Sequence, residues 1–309
     1  MQPVPATPSG GATLRPLGIG DVLDRVFGIY RARAIGLFVL GLIFFAALVI
    51  AWIVLSVGFA LAGLSTFQRL SQQPTSDPAT LLANPAFVEL VGALFLFFAV
   101  GWLVTLLVAA VFTGAVIDAA AASHLGQERS LTQSLGVGLR ASLRIFFAGV
   151  LATIAVSLIG VVFNVVSGFF VDNGLLLFLI FCVYFFVQIY VQASWFVSPV
   201  VATIEGHGPV SSLRRSWQLS TGFRWRIVGL VLLLVVLFMV LFVLVVVLIG
   251  LIATANQSAG AVAFFIAIFA AVPIWMPLFF GTMTVLYYDL RVRKEALDLQ
   301  LAAEAMPRA

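Results

Sequence analysis

The chain has 309 residues, 63% of them hydrophobic and only 9% charged, with a net charge of +4. A soluble domain carries about 25% charged residues, and no water-exposed fold of this size has core enough to hide so much apolar surface. The composition therefore excludes a soluble protein and makes a nucleic-acid partner unexpected; what it leaves is a protein of the bilayer.

In chain order, residues 1–14 read as a disordered tail. Arg15 to Ala34 then carries six charges: Arg15, Asp21, Asp24, Arg25, Arg31 and Arg33. Within it Ile19, Val22, Leu23, Val26, Phe27 and Tyr30 recur at helical spacing and form one stripe, with Ile29 the only large apolar residue off it. Asp21 and Arg25 stand four apart on the polar face, in the favourable acid-first order. Such a helix can lie in the headgroup plane with its apolar face down. Arg31 and Arg33 then meet phosphates, each gaining about 1 kcal/mol from an anionic leaflet.

Six apolar runs follow: Ile35–Leu64, Leu90–Ile117, Ile145–Val171, Gly174–Ile204, Ile227–Ala255 and Ala259–Tyr288. Each meets the ~20 residues that cross a ~30 Å hydrocarbon core as a helix. None alternates apolar and polar as barrel strands do, and a helix satisfies its own backbone groups in hydrocarbon. The first run is too long for a signal-peptide core and is expected to stay as an anchor. Ser65–Glu89, with Pro74, Pro78 and Pro85, reads as an extracytoplasmic loop. Asp172 and Asn173, and later Thr254–Gly260, read as short turns that make hairpins of the spans they join. Residues 291–309 read as a cytoplasmic tail. One cysteine, Cys182, lies inside the fourth run, so no intramolecular disulfide is expected.

Fifteen of the sixteen Lys and Arg residues precede span one, follow span six, or fall between spans two and three or four and five; Arg69 alone falls on the other side. The positive-inside rule then places both termini in the cytoplasm. Fifteen arginines against one lysine suggest a GC-rich bacterial genome, so the expected location is a bacterial inner membrane.

An internal repeat is expected. Gly126–Ile145 set against Gly208–Ile227 without a gap matches Gly126/Gly208, Ser130/Ser212, Leu131/Leu213, Ser134/Ser216, Arg144/Arg226 and Ile145/Ile227. Asp118, Glu205 and Asp289 mark the inner ends of the even-numbered spans, where nearby arginines can pair with them. The expected fold is an all-α membrane protein: six transmembrane helices as three hairpins, each preceded by a cytoplasmic amphipathic helix. The membrane domain runs over 15–290, with repeats at 15–118, 119–205 and 206–290. Pro209–Ser220 is the clearest second copy of the amphipathic segment, with Pro209 at the first helical position, Gly222 as its terminator, and Val210, Leu213 and Trp217 on one face. These helices can lie on lipid or dock on each other; partial docking with membrane contact is the expectation.

The basic residues at span starts, Arg31, Arg33, Arg144, Arg214, Arg215, Arg224 and Arg226, are candidate contacts for anionic lipid headgroups. Inside the membrane, Tyr184, Gln188, Gln192, Trp195 and Pro199 share one side of span four. With Asn164 and Ser167 across the hairpin, they make either a polar pathway or a helix-packing seam. Pro273 and Pro277 are expected to bend span six.

No catalytic pattern stands beside these features. Gly18–Asp21 as GxGD and Tyr288–Asp289 as YD imitate the two motifs of intramembrane aspartyl proteases. Their order is reversed, however, and Asp21 sits outside the spans, so a proton-sharing carboxylate pair is not expected. His124 and His207 lie in separate loops with no ligand set at metal spacing, so neither metal nor cofactor is expected. There is no GxSxG and no Walker A.

LRPLGIGDVLDRVFGIYRAR at Leu14–Arg33, and SPVVATIEGHGPVSSLRRSWQLSTGFRWRIVG at Ser198–Gly229, resemble the two markers of bacterial polytopic proteins classed with the glycerophosphoryl diester phosphodiesterase membrane domain. Those markers carry no catalytic residues. The resemblance implies the membrane module alone, without a hydrolase barrel. The functional expectation is a non-enzymatic module of the inner membrane that engages anionic lipids, or scaffolds a membrane-protein partner or a second copy, in envelope function. The alternative is a transporter or channel-like protein whose pathway follows the polar face of span four.

Overall fold

The computed structural model describes residues 16–72, 77–297 and 300; the tail at 1–14, Arg15, Pro74 and most of the stretch beyond 297 lie outside them. The described residues form helices without a strand. In order they are α1 (Ile19–Ser71), α2 (Pro78–Ala83), α3 (Pro85–His124), α4 (Leu131–Gly168), α5 (Gly174–Trp195), α6 (Ser198–Ile204), α7 (Pro209–Ser220), α8 (Arg224–Ala255) and α9 (Gln257–Glu295). Among the described residues six helices are long and apolar enough to cross a membrane, counting α5 and α6 together. Five of them contain one of the six apolar runs whole, and α4 holds the third as far as Gly168, three residues short of Val171; a multi-pass membrane protein requires such lengths. Val240, Leu244 and Leu248 of α8 are 52%, 55% and 59% exposed, an arrangement at home only where the solvent is itself apolar.

Two compact units divide the chain, one of Leu42–Ala109 and one of the described parts of Met1–Gly41 and Ala110–Ala309. In the first, Trp52 of α1 lies over Gly101 of α3, where a Cβ would come within 2.6 Å of the indole. The indole N–H donates to Thr105 Oγ1 at 3.1 Å, and Phe97 packs on Trp52 and Phe59. Toward the helix ends Arg69 pairs with Glu89 at 3.0 Å, both exposed.

In the second unit the core sits at one end of the helices, the end at which the basic residues gather. Val22, Val26 and Ile29 of α1 meet Ile117 of α3, Val200 and Val201 of α6, Leu219 of α7, Ile227 of α8 and a long stretch of α9. Every residue of α9 from Gly281 to Leu290 is buried, and Tyr287 is the largest side chain fully enclosed. Close approaches rest on glycine. A Cβ on Gly138 of α4 would lie 2.3 Å from the Val111 carbonyl oxygen of α3, and one on Gly41 of α1 would lie 2.5 Å from Pro273 Cα of α9.

The three segments that lead into odd-numbered spans are built differently. The first is continuous with its span in α1, apart from a kink at Arg33 (φ −126°, ψ 26°). The second runs into its span within α4 without a break; Ser130 and Gln133 cap its start reciprocally, at 3.3 and 3.0 Å. The third is a separate helix, α7, with proline in its first turn as expected, and Gly222 at φ +86° turns the chain into α8. In the ungapped repeat register Ser130 stands against Ser212, but the residue capping α7 is Gly208, four residues earlier.

Burial on the first segment also departs from the expected stripe. It follows Val22, Val26 and Ile29, while Ile19 and Phe27 are exposed. The helix is turned so that Ile29 enters the protein core, which draws it more strongly than a face set only by period. Asp21 does not pair with Arg25; it accepts the Gly18 N–H at 2.9 Å. The fourth apolar run is broken at 196–197 into α5 and α6, because Pro199 has no N–H for the Trp195 carbonyl.

The Gly138 crossing yields a test. Gly138→Ala is expected to destabilise the protein by about 1–3 kcal/mol through overpacking. Gly136→Ala, where nothing lies within 4 Å, is expected to be neutral or stabilising by up to about 1 kcal/mol. Thermal midpoints of the two variants in the same detergent check both.

Candidate functional site

The basic end is organised around two carboxylate nodes. In the first, Asp289 of α9 has a fully buried side chain. Arg226, in the first turn of α8, reaches its Oδ2 at 2.6 Å, and Arg293, one turn further along α9, reaches both oxygens at 3.1 Å. The Leu17 N–H donates to Oδ1 at 2.7 Å. The Leu17 carbonyl in turn accepts from Arg226 at 2.5 Å and Arg293 at 2.7 Å. One residue ahead of α1 is thereby fastened to α8 and α9 through both of its backbone groups.

The second node joins α6, α7 and α9. Glu205 accepts from Arg215 Nε at 3.1 Å and from the Tyr287 hydroxyl at 2.7 Å. The His207 ring approaches it at 3.3 Å without hydrogen-bond alignment. Arg215 extends to Glu295 at 2.6 Å, which Arg291 holds from the other side at 3.0 Å. Burial works against the charge on Arg215, but hydrogen bonds to Glu295 and Glu205 outweigh it and raise its pKa above the ordinary guanidinium value. The third acid at this end differs: Asp118 accepts from the Ser134 hydroxyl at 2.9 Å. Close by, His124 is buried against the Tyr288 ring, centroids 5.2 Å apart, and its Nδ1 has no partner among the described residues.

α7 docks through Leu219, which enters the hydrophobic core, and through a row of serines. Ser212, Ser216 and Ser220 are buried, and Val210 and Trp217 face outward. The Ser216 and Ser220 hydroxyls donate at 2.9 and 3.0 Å to the Ser194 carbonyl in the last turn of α5. A helix end leaves such carbonyls without intrahelical partners, so the break in the fourth run creates the acceptor that the serines fill.

The candidate headgroup contacts divide accordingly. Arg215 and Arg226 belong to the nodes. Arg33 donates to the Gln127 and Arg129 carbonyls at 2.9 and 3.0 Å. Arg224 stacks on Tyr190 and Trp217. Arg144 is half-buried, its Nη1 close over Gly206. Arg31 and Arg214 are exposed and make no ion pair among the described residues.

Of the span-four seam, Gln188 is buried and donates to the Tyr184 hydroxyl at 2.7 Å and, at 3.4 Å, to the Val156 carbonyl of α4. Gln192 is exposed and apart from this pair. Asn164 does not reach Gln188; with Ser167, Tyr184 and Phe181 it lines an open cleft of about 310 Å³ between α4 and α5. Leu17, Tyr287 and Glu295 are node members that sequence reasoning missed. Two adjacent tyrosines just ahead of Asp289 were the available signal for Tyr287; a backbone group such as that of Leu17 leaves none.

No family model, curated protein or solved structure matches the chain.

The Asp289 node predicts an asymmetry. Asp289→Ala, which strands two cations at a buried position, is expected to cost about 3–5 kcal/mol. Arg293→Gln removes a more exposed partner and is expected to cost less than about 1 kcal/mol. Detergent-resistant folded yield and thermal midpoint, measured for both variants, check the order.

Proposed function

We propose that the protein is a non-enzymatic integral module of a bacterial inner membrane, with both termini cytoplasmic. In this reading the spans form three hairpins, each led by an amphipathic segment. The module engages anionic lipids, or scaffolds a membrane-protein partner or a second copy, in envelope function. One observation carries the reading: Glu205, Asp289 and Glu295 are each bound by arginine side chains at the basic end. Carboxylates held in this way serve architecture, since a general acid or base must be free to exchange a proton with substrate. The exposed guanidinium groups of Arg31 and Arg214 support lipid contact, because a cation at the headgroup level gains from an anionic leaflet.

The resemblance to the glycerophosphoryl diester phosphodiesterase membrane domain is kept within this proposal. Its two motifs contain Leu17, Glu205, Arg215, Ser216 and Arg226, the residues that build the nodes and the α7 contact, which suits a marker of architecture.

A second reading, transport along α4 and α5, has the cleft lined by Asn164, Ser167 and Tyr184 on its side. The bonds from Gln188 to Tyr184 and Val156 weigh toward helix packing instead.

Native mass spectrometry of protein extracted in mild detergent tests the first reading. Retained phospholipid is expected to be enriched in anionic species over the bulk membrane; composition equal to bulk would sink lipid engagement. Phosphatase fusions at Gln127 and His207 are expected to be inactive, as cytoplasmic fusions are, and activity at either overturns the orientation. For the rival, an Asn164→Cys variant in a Cys182→Ser background is expected to resist a water-soluble thiol reagent. Rapid labelling there would favour a wet pathway.

A further inference from the structure

Two of the cations that the nodes leave out lie beside the last turn of α7. Arg224 opens α8, and Lys294 lies in the last turn of α9. The guanidinium lies 4.3 Å from the Tyr190 ring centroid and 4.5 Å from that of Trp217. It donates Nη1 to the Tyr190 hydroxyl and Nη2 to Thr221 Oγ1 at 3.4 Å. Its Nε is buried with no partner among the described residues. Lys294 is exposed and donates to the Gln218 carbonyl at 2.5 Å. The last turn of α7 thus holds both cations, one by ring stacking and the other by a carbonyl.

Arg224 lies over Trp217 and Lys294 on the carbonyl of the next residue, Gln218, so the two like charges repel. Neither makes an ion pair among the described residues. Glu295, the carboxylate that acts on Lys294, is already held by Arg215 and Arg291. The C-terminus of α7 offers about half an elementary charge, too little to balance two full ones. The arrangement therefore has room for an anion. A guanidinium fixed in plane by rings matches phosphoryl oxygens in a fork, while a lysine adds a point charge. The rings also set the level: Trp and Tyr prefer the membrane interface, and Trp225, next in sequence, is 65% exposed.

We propose that Arg224 and Lys294 form a binding site for the phosphodiester of an anionic membrane lipid, with Tyr190 and Trp217 holding the guanidinium in place. The assignment rests on the lipid-engaging reading and gives it a location.

The test uses the full chain in nanodiscs of phosphatidylcholine, with or without phosphatidylglycerol, and reads phosphatidylglycerol retention by native mass spectrometry. R224Q and K294Q are each expected to weaken retention about tenfold, and W217L about threefold. R140Q, a charge change elsewhere on the same end, is expected to leave it unchanged. If R224Q does not fold, K294Q, at an exposed position, carries the test. Loss confined to R31Q or R214Q overturns this site and leaves the lipid-engaging reading standing. A wild-type protein with no preference for phosphatidylglycerol overturns both. Inorganic phosphate that binds in phosphatidylcholine nanodiscs and is lost in R224Q and K294Q overturns the lipid as the source of the phosphoryl group.

Discussion

A carboxylate taken fully out of water must be compensated at close range, and Asp289 sets that requirement for the basic end. The penalty for a buried ion is several kcal/mol, and attraction offsets it only when the geometry is good and the lone pairs are filled. Asp289 meets the condition with Arg226, Arg293 and the Leu17 N–H. Each partner comes from a different place, so satisfying one charge fixes the start of α8, the end of α9 and the approach to α1. The hydrophobic contacts of Val22, Val26 and Ile29 then follow, because the node has already set where α1 begins.

The second node applies the same logic to a different set of elements. Glu205 and Glu295 have Arg215 between them, with Tyr287 and Arg291 at the flanks. α7 itself buries Leu219 but little other apolar surface. It is fastened by Arg215 on one side and by serine hydroxyls on the Ser194 carbonyl on another. Val210 and Trp217 are left exposed to the surroundings.

How far the sequence could be read differs by level. The six long helices were legible because uninterrupted apolar runs have few other solutions in hydrocarbon. The turn chemistry around α7 was also legible, from Pro209 and Gly222. The centre of the buried stripe on α1 was not. Phe27 and Ile29 are both large and apolar, and helical period alone does not say which one faces protein. The pairing of Asp289 and Glu205 with arginines could be anticipated from their shared position at span ends. The choice of partner could not: Asp118, in a similar setting, takes a serine. Leu17 contributes through backbone atoms, which every residue possesses, so its role was silent until the fold brought it to Asp289.

The Leu17 tie joins positions separated by 209 and 272 residues. A ribosome adding about 5–20 residues per second needs about 10–55 s to make the intervening chain. For that interval Leu17 lacks its partners on α8 and α9, and the part of the surface that α9 supplies to Val22, Val26 and Ile29 is still missing. Closing the bundle is therefore a late event in biogenesis, and a nascent chain halted before α9 leaves the translocon with its first segment still unlatched.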